Sequence, residues 1–449
     1  MNRGPDQQSP APCTVVMMSS PSAEPDFSVR LHELRGIELQ RLRGDARTVL
    51  HGGAAAAWYF RWFEENYPGI VERHIGVEAF QERPVDLPAN VEWLRRTLGD
   101  MGPVPTGSVD LVFGGQVVEH LWPDDVADFL AESHRVLRPG GTLVLDSPNR
   151  RVTEAIAWHH PQHTLEFSID EITQLTTLAG FELEDVRGVV LGYDRVLHSF
   201  LGLDDERVPW QERARLAADR PEDSFVWWLV AKRADRKPDA ATLRELTHRQ
   251  AADFRARRLR QLTSPLPIHR VTDSVAHVSA PGDYAGPLLL GPNFPLDAGE
   301  WHASFALRSA GGPSDPKSPV ARVAVASDSS AVPHAHRDVF AGDLDPGGAW
   351  TTIDLDFNLT EMIMGLDVQA FAHGQAPIGA QMVVDLRRRE DVALTHRYVR
   401  ERSPSHAPEP RTVEIIAMLS RRAVSKAKAK AKAAAALRAQ SLRSDSTRR

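Results

Sequence analysis

The stretch SVDLVFGGQVVEHLWPDDVADFLAESHRVLRPGGTLVLDSPN, residues 108–149, decides the fold. Its apolar run Ser108–Phe113 reads as a buried strand, and Thr142–Asp146 reads as a second one. Between them Pro123-Asp124-Asp125 opens a helix whose apolar face is Val126, Phe129, Leu130, Val136 and Leu137, and Arg138-Pro139-Gly140-Gly141 stops it. A strand, a helix and a strand in that order make a crossover unit of a parallel sheet. Working outward, the same alternation predicts five more strands, at Thr48–Gly52, Arg73–Ala79, Val91–Thr97, Phe181–Val190 and Phe225–Lys232. A helical pattern from Phe27 to Leu42 precedes them, and Ser168 with Glu171 forms a capping box that starts another helix, ended by Gly180. Seven strands with crossover helices fit an α/β, doubly wound domain over residues 26–233.

In wording and spacing, residues 108–149 resemble the class I S-adenosylmethionine-dependent methyltransferases, above all in the run LRPGG-T-L-V-L that leads into the fifth strand. The resemblance extends more loosely from Arg47 to Arg233 and takes in HTLEFSIDEITQLTTLAGFELEDV, with its histidine, capped helix and AGF turn. It implies a seven-stranded Rossmann-like sheet, S-adenosylmethionine as cofactor and methyl transfer as the reaction. Residue by residue it implies that Gly52 and Gly53 form the first strand–helix turn and that Glu78 accepts from the ribose hydroxyls. Asp100 and Met101 would line the adenine, and Gly115 and Gln116, after Gly114, would face the methionine part. The chain departs from the family pattern at the first strand, where His51 and a single Gly-Gly pair replace an acidic residue and a fuller glycine motif.

The physical reading of these residues runs alongside. In an open parallel sheet a ligand sits beyond the carboxyl ends of the strands, and glycines there permit close backbone approach. For Glu78 the competing use is an ion pair with Arg73 or Arg83; for Asp100 it is a turn cap with Gly102 and Pro103. A hydroxyl acceptor must lose a proton, which an imidazole with an ordinary pKa near 6.5 can take. His120 and His163 are the candidate catalytic residues, set against the alternative of a loop histidine satisfied by local backbone. Glu119 reads as a supporting group. His159 and His160 complete a His-His-x-x-His run, but no carboxylate stands at a convincing place in the sequence, so the expectation is no metal. Trp58, Trp62, Trp227 and Trp228 read as packing groups.

Residues 234–266 form an Arg-rich helical stretch that reads as a linker. Beyond Pro267 the period becomes two: Trp301, Ala303, Phe305 and Leu307 alternate with His302, Ser304 and Ala306, and Ile353, Leu355 and Phe357 repeat the pattern. A jelly-roll-like β-sandwich is expected over 267–398. Around Gly291–Trp301 it weakly resembles glycan-binding modules, which implies a glycan or small-molecule acceptor, with Phe294, Trp301, Tyr284 and Trp350 as the available aromatics. A lipid or secondary metabolite as acceptor, and a non-catalytic scaffold or glycan-binding protein, stay open as alternatives. Residues 1–25, rich in Pro, Ser and Gln, read as a disordered leader, and 399–449 as a basic helical tail. The tail's lysines are spaced by two and scatter around a helix, leaving a solvated tail, a membrane surface or an acidic partner open.

Composition bounds the rest. The 449 residues carry a net charge of −7, while the segment from Arg421 onward holds ten bases against one acid. The body is therefore strongly acidic and a poor general binder of nucleic acid. One cysteine, Cys13, excludes an internal disulfide framework. With no apolar run long enough to span a bilayer and no signal-peptide core at the start, a cytoplasmic setting is expected.

Overall fold

The computed structural model describes residues 27–389 except 55, 204, 270–274, 310, 312–314 and 328–332. The described residues all belong to one compact unit. The expected leader, the last residues of the expected sandwich and the basic tail lie outside the described residues.

Helix α1 (Phe27–Leu39) precedes a sheet built from β1 (Thr48–Gly52), β2 (Arg73–Val77), β3 (Val91–Leu94), β4 (Val109–Gly115), β5 (Leu137–Pro148), β6 (Phe181–Leu191) and β7 (Ser224–Arg233). The sheet order is β3-β2-β1-β4-β5-β7-β6. Strands β1 to β5 are parallel, and β7 lies antiparallel between β5 and β6. Val49 and Leu50, Val112 and Phe113, and Leu143, Val144 and Leu145 are fully buried, as strands covered on both faces require. The strand order reverses between β1 and β4, the chain stepping outward from β1 to β3 and returning to the other side of β1 as β4, so the carboxyl ends of these two parallel strands flank the switch point.

Helices α2 (Ala57–Asn66), α3 (Pro123–Val136), α4 (Arg150–Ala155), α5 (Ile169–Leu178) and α6 (Trp210–Ala217) accompany the sheet. The expected box at the start of α5 forms: Glu171 Oε2 accepts from the Ser168 amide at 2.8 Å and from its hydroxyl at 2.9 Å. Several boundaries move. The stop at Arg138–Gly141 is the start of β5, because Pro139 and Gly140, at φ +71°, end a helix without ending extended pairing. Strand β4 continues to Gly115, whereas β2 and β3 stop short of Ala79 and Thr97.

The expected linker is instead a core element. Helix α7 (Ala240–Arg258) buries Leu243, Leu246, Ala251 and Phe254 in the same core as Val126, Phe129 and Leu130 of α3. Its apolar seam sits at helical spacing within an Arg-rich surface, and the charges mask it in the sequence. His248 Nε2 lies 3.0 Å from Asp124 Oδ1, and Arg244 pairs with Asp128, fixing α7 to α3 along its polar edge.

The second half pairs β8 (Ile268–His269), β9 (His277–Ala280), β10 (Ala285–Leu289), β11 (Pro292–Leu296), β12 (Gly299–Ser309), β13 (Pro319–Ser327), β14 (Ala335–Phe340), β15 (Thr351–Leu359), β16 (Ile363–His373) and β17 (Ile378–Arg388). They make two antiparallel sheets, β8-β9-β17-β12-β15 and β10-β16-β13-β14, with β11 also on β16. Strict alternation in β12 puts Trp301, Ala303, Phe305 and Leu307 into one core with Val323, Phe357 and Leu366. Leu259 and Leu262, just past α7, belong to that core as well. Among the described residues no helix is long and apolar enough to cross a membrane.

Truncating the α7 seam should unfold the first domain readily. Phe254→Ala is expected to cost about 3–5 kcal/mol, the range for losing a buried phenyl ring. Chemical denaturation followed by tryptophan fluorescence measures it, and a change below about 1 kcal/mol would return α7 to the status of a connector.

Candidate functional site

Three strand tips meet at the switch point. After β1 the chain turns at Gly53, whose φ is +67° and whose added Cβ would come 2.8 Å from Val117 Cγ2. A Cβ at Gly52 would press on the Leu98 side chain at 3.2 Å. Both glycines are therefore needed for the turn and for its close packing. Helix α2 then begins without a side-chain cap at Ala56 and without an acidic residue in its first turn, so the dipole end has no negative partner of its own.

His51 does not face this turn. Its ring is buried edge-on against Phe60 and Phe63, with Nε2 2.8 Å from His74 Nδ1, and His74 Nε2 lies 2.9 Å from Glu64. Burial, then the neighbouring His74, pushes His51 well below the usual histidine range. The departure from the family's acidic residue is thus absorbed into the layer between sheet and α2.

Glu78 is the first residue past β2. Its Oε1 accepts from the amides of Phe80 at 2.8 Å and Gln81 at 3.3 Å, which holds the carboxylate at the strand tip. Asp100 makes the competing turn cap, Oδ1 accepting from the Gly102 amide at 3.2 Å, and its Oδ2 lies 3.6 Å from Arg96. Met101 is fully buried in the first core. Its position after a Gly-Asp pair suits a wall in sequence, but its backbone amide donates to Glu132 on α3 and draws it inward.

Gly115 and Gln116 lie beside a buried ion pair. Arg35 of α1, 1% exposed, reaches across the sheet to Asp146 at the end of β5. Its Nη2 donates to Oδ2 at 3.0 Å, and its Nε sits 2.9 Å from Oδ1. A Cβ at Gly115 would lie 2.2 Å from that Nη2, so the glycine makes room for a guanidinium. Gln116, at φ +55°, donates from Nε2 to Asp146 Oδ1 at 2.6 Å. Burial, the largest single influence, would lower the Arg35 pKa; the charge and hydrogen bond of Asp146 together with Tyr59 and Glu119 outweigh it, and the net shift is upward. Neither Arg35 nor Asp146 stood out in the sequence, where an arginine on an amphipathic helix reads as solvated.

Past the tip of β4 lies a histidine cluster. Val118–His120 forms a short 3₁₀ turn, and Thr164 fastens the 160–165 segment to it by donating its amide to Glu119 O at 2.9 Å. Trp227 Nε1 donates to Phe167 O at 3.1 Å and ties the end of that segment to β7. His120 and His163 are brought together, ring centroids 4.8 Å apart, and His160 joins them at 4.3 Å from His163. His163 Nδ1 lies 2.7 Å from Glu166 Oε1, whose other oxygen takes the Thr153 hydroxyl. Burial above all lowers His120, His160 and His163 to about 3, so the three imidazoles are uncharged and weak bases at neutral pH. Glu119 is fully buried with neither carboxyl oxygen hydrogen-bonded, and desolvation raises it to about 8. Glu166 and the buried state of Glu119 were missed, because the fold and not the spacing brings residues 119 and 166 together; His160 was weighed only within the His-His-x-x-His run.

The four sandwich aromatics offer less to a sugar than expected. Phe294 and Trp301 are buried in the second core, the Tyr284 hydroxyl donates to Pro287 O at 3.0 Å, and Arg308 covers a face of Trp350 at 4.4 Å.

Residues 51–145 match the family model described as a methyltransferase domain. A probable S-adenosylmethionine-dependent methyltransferase of Mycolicibacterium smegmatis is 34% identical over 180 residues, covering 38% of this chain and 65% of that one. A second, from Mycobacterium tuberculosis, is 32% identical over 191 residues, covering 39% and 65%. The chain thus spans just under two thirds of the length of these curated relatives. Among solved structures, a SAM-dependent methyltransferase from Archaeoglobus fulgidus is 19% identical at a TM-score of 0.34, covering 45% of this chain and 94% of that one. Residues 51–145 thus match a methyltransferase domain, set in a seven-stranded sheet of order 3-2-1-4-5-7-6.

Two expectations follow from the site. Arg35→Met leaves the Asp146 carboxylate buried without its partner and should cost about 3–5 kcal/mol in denaturant unfolding, part of it recovered by adding Asp146→Asn; an unchanged midpoint would remove the pair from its supporting role. Because the folded pKa of His51 is depressed, its contribution to stability is complete above the unfolded value near 6.5 and is lost as pH falls below it. Between pH 6.5 and 4.5 the wild type should therefore lose up to about 1.4 kcal/mol per pH unit more than His51→Gln. Parallel stability curves for the two proteins would contradict this.

Proposed function

We propose that this chain transfers a methyl group from S-adenosylmethionine to a hydroxyl of a small-molecule acceptor. The observation that carries the proposal is the glycine turn and Glu78 at neighbouring strand tips, within the segment that matches the methyltransferase domain. When bound, S-adenosylmethionine supplies an electrophilic methyl group on a sulfonium centre. Gly52 and Gly53 would give its backbone cradle, the uncapped start of α2 would meet its carboxylate, and Glu78 would accept from its ribose hydroxyls. Asp100 stands where the adenine amine would need an acceptor.

The site residues fit the group in part. The turn and Glu78 are in place, whereas Arg35 and Asp146 hold the space above Gly115, so the methionine end must share that space with a buried ion pair. His120 and His163 would line the acceptor side, where one of their imidazoles would take the hydroxyl's proton as the methyl–sulfur bond breaks and the methyl–oxygen bond forms, leaving S-adenosylhomocysteine. Most of the rate then comes from holding the acceptor in line and keeping water out. The finer acceptor assignment, a sugar or glycan hydroxyl, draws its support from the sandwich's resemblance alone. It is read out by incubating the full chain with cofactor and sugar, lipid or secondary-metabolite acceptors and seeking the gain of one methyl by mass spectrometry.

Calorimetry with S-adenosylmethionine tests the cofactor claim. Wild type should give saturable heat, and Glu78→Ala should bind at least about tenfold more weakly, the cost of a lost charge-assisted hydrogen bond. Folded wild type without saturable heat would leave a scaffold protein with a vestigial pocket as the better reading.

A further inference from the structure

We propose that His120, His160 and His163 bind one divalent transition-metal ion of the zinc class, with a fourth coordination position left open. One ring nitrogen from each of the three lies within 4.8 Å of the others, and among the described residues this is the group of His, Cys, Asp and Glu side chains disposed to hold a metal ion. Hydrogen bonding at the other nitrogens says which atoms point inward. His120 Nδ1 lies 3.2 Å from Gln162 O and His163 Nδ1 lies 2.7 Å from Glu166 Oε1. Each of these Nδ1–H groups donates outward and leaves a lone pair on Nε2, the arrangement in which a carbonyl or carboxylate orients a metal-ligating imidazole. His160 Nδ1 accepts a weaker 3.3 Å bond from the Gln162 amide, which it must exchange for the opposite tautomer on binding.

The supporting groups are already fixed. Glu166 is 2% exposed and bonded through both oxygens, to His163 and to Thr153. His120 is held on its turn by the Thr164 tether. Ligand nitrogens at about 2.0–2.1 Å from a tetrahedral zinc stand roughly 3.4 Å apart, so the three rings need close by only about an ångström or so from their present spacing. His163 is buried while His120 and His160 are partly exposed, which gives an ion a way in and keeps one side open. Arg258, which contacts His159, opposes a second cation, and the carboxylates of Glu166 and Glu154 around it offset its charge. Three imidazoles without an oxygen cage select zinc, cobalt, nickel or copper over magnesium and calcium.

Binding of the ion stands on this geometry alone. Its use rests on the methyl-transfer reading: the open position would hold the acceptor's hydroxyl oxygen and lower its pKa.

The test uses tag-free, chelator-treated full-length protein, titrated with zinc by calorimetry and with cobalt(II) by visible absorption. One equivalent should bind, with the intense absorption of a tetrahedral cobalt site. His160→Ala and His163→Ala should each weaken binding at least tenfold, and Glu166→Gln, which keeps all three imidazoles, should weaken it about 10- to 100-fold. His159→Ala should bind as the wild type does. Circular dichroism checks that each variant is folded, and Glu166→Gln decides the matter if the histidine variants are not. Folded wild type without saturable zinc binding, or binding indifferent to His160→Ala, His163→Ala and Glu166→Gln, overturns the inference. S-Adenosylmethionine binding without zinc binding would sink the metal site alone, and zinc binding without S-adenosylmethionine binding would sink the cofactor reading alone.

Discussion

A guanidinium and a carboxylate, both withdrawn from water, hold the top of the first sheet together. Arg35 comes from the helix that precedes the sheet and Asp146 from the tip of its fifth strand, 111 residues later. The ion pair is worth forming only because the partners meet at hydrogen-bond distance, Gln116 supplies a further donor and the Trp62 ring lies 5.2 Å from the guanidinium. It explains why β4 must end in Gly115, why Gln116 adopts a left-handed backbone and how α1 is drawn over the switch point. Every group that the cofactor or acceptor would meet is placed with respect to that pair.

Past the tip of β4 the same edge carries an unusual density of uncharged ionisable groups. Glu119 is held neutral by desolvation, and the imidazoles of His120, His160 and His163 by burial. Neutral imidazoles are ready to ligate a metal ion without first shedding protons. Asn149 stabilises this wall from below, donating to the carbonyls of Pro221, Glu222 and Ser224 and so anchoring the end of β5 to the turn before β7.

The second domain is joined to the first through α7. One end of that helix packs in the first core, the residues just beyond it enter the second, and Arg255 lies over Trp301 at 5.0 Å. Thr263 and Leu290 exchange backbone hydrogen bonds at 2.9 Å, so the chain leaving α7 is stitched to the sandwich. With Trp301 serving this junction and the core, the sandwich spends its best aromatic on structure.

How much was legible in the sequence follows from the range of the forces involved. Period-two and helical patterning are local, so residues 108–149 disclosed a strand, a helix and a strand, and residues 301–307 disclosed a half-buried strand, without any help from the fold. Gly53 was legible because a positive φ needs glycine, and Glu78 because a carboxylate at a strand tip has few structural uses. The seam of α7 was misread because burial is settled by what packs above, which the chain's own spacing does not state. Arg35 with Asp146, and Glu119 and His120 with the 160–166 segment, came together only when strand order 3-2-1-4-5-7-6 folded distant residues onto one edge. The sequence determined the elements and the class of sheet through short-range sterics and hydrophobic period; the tertiary structure alone decided which charges left water together, because desolvation is a property of the assembled core.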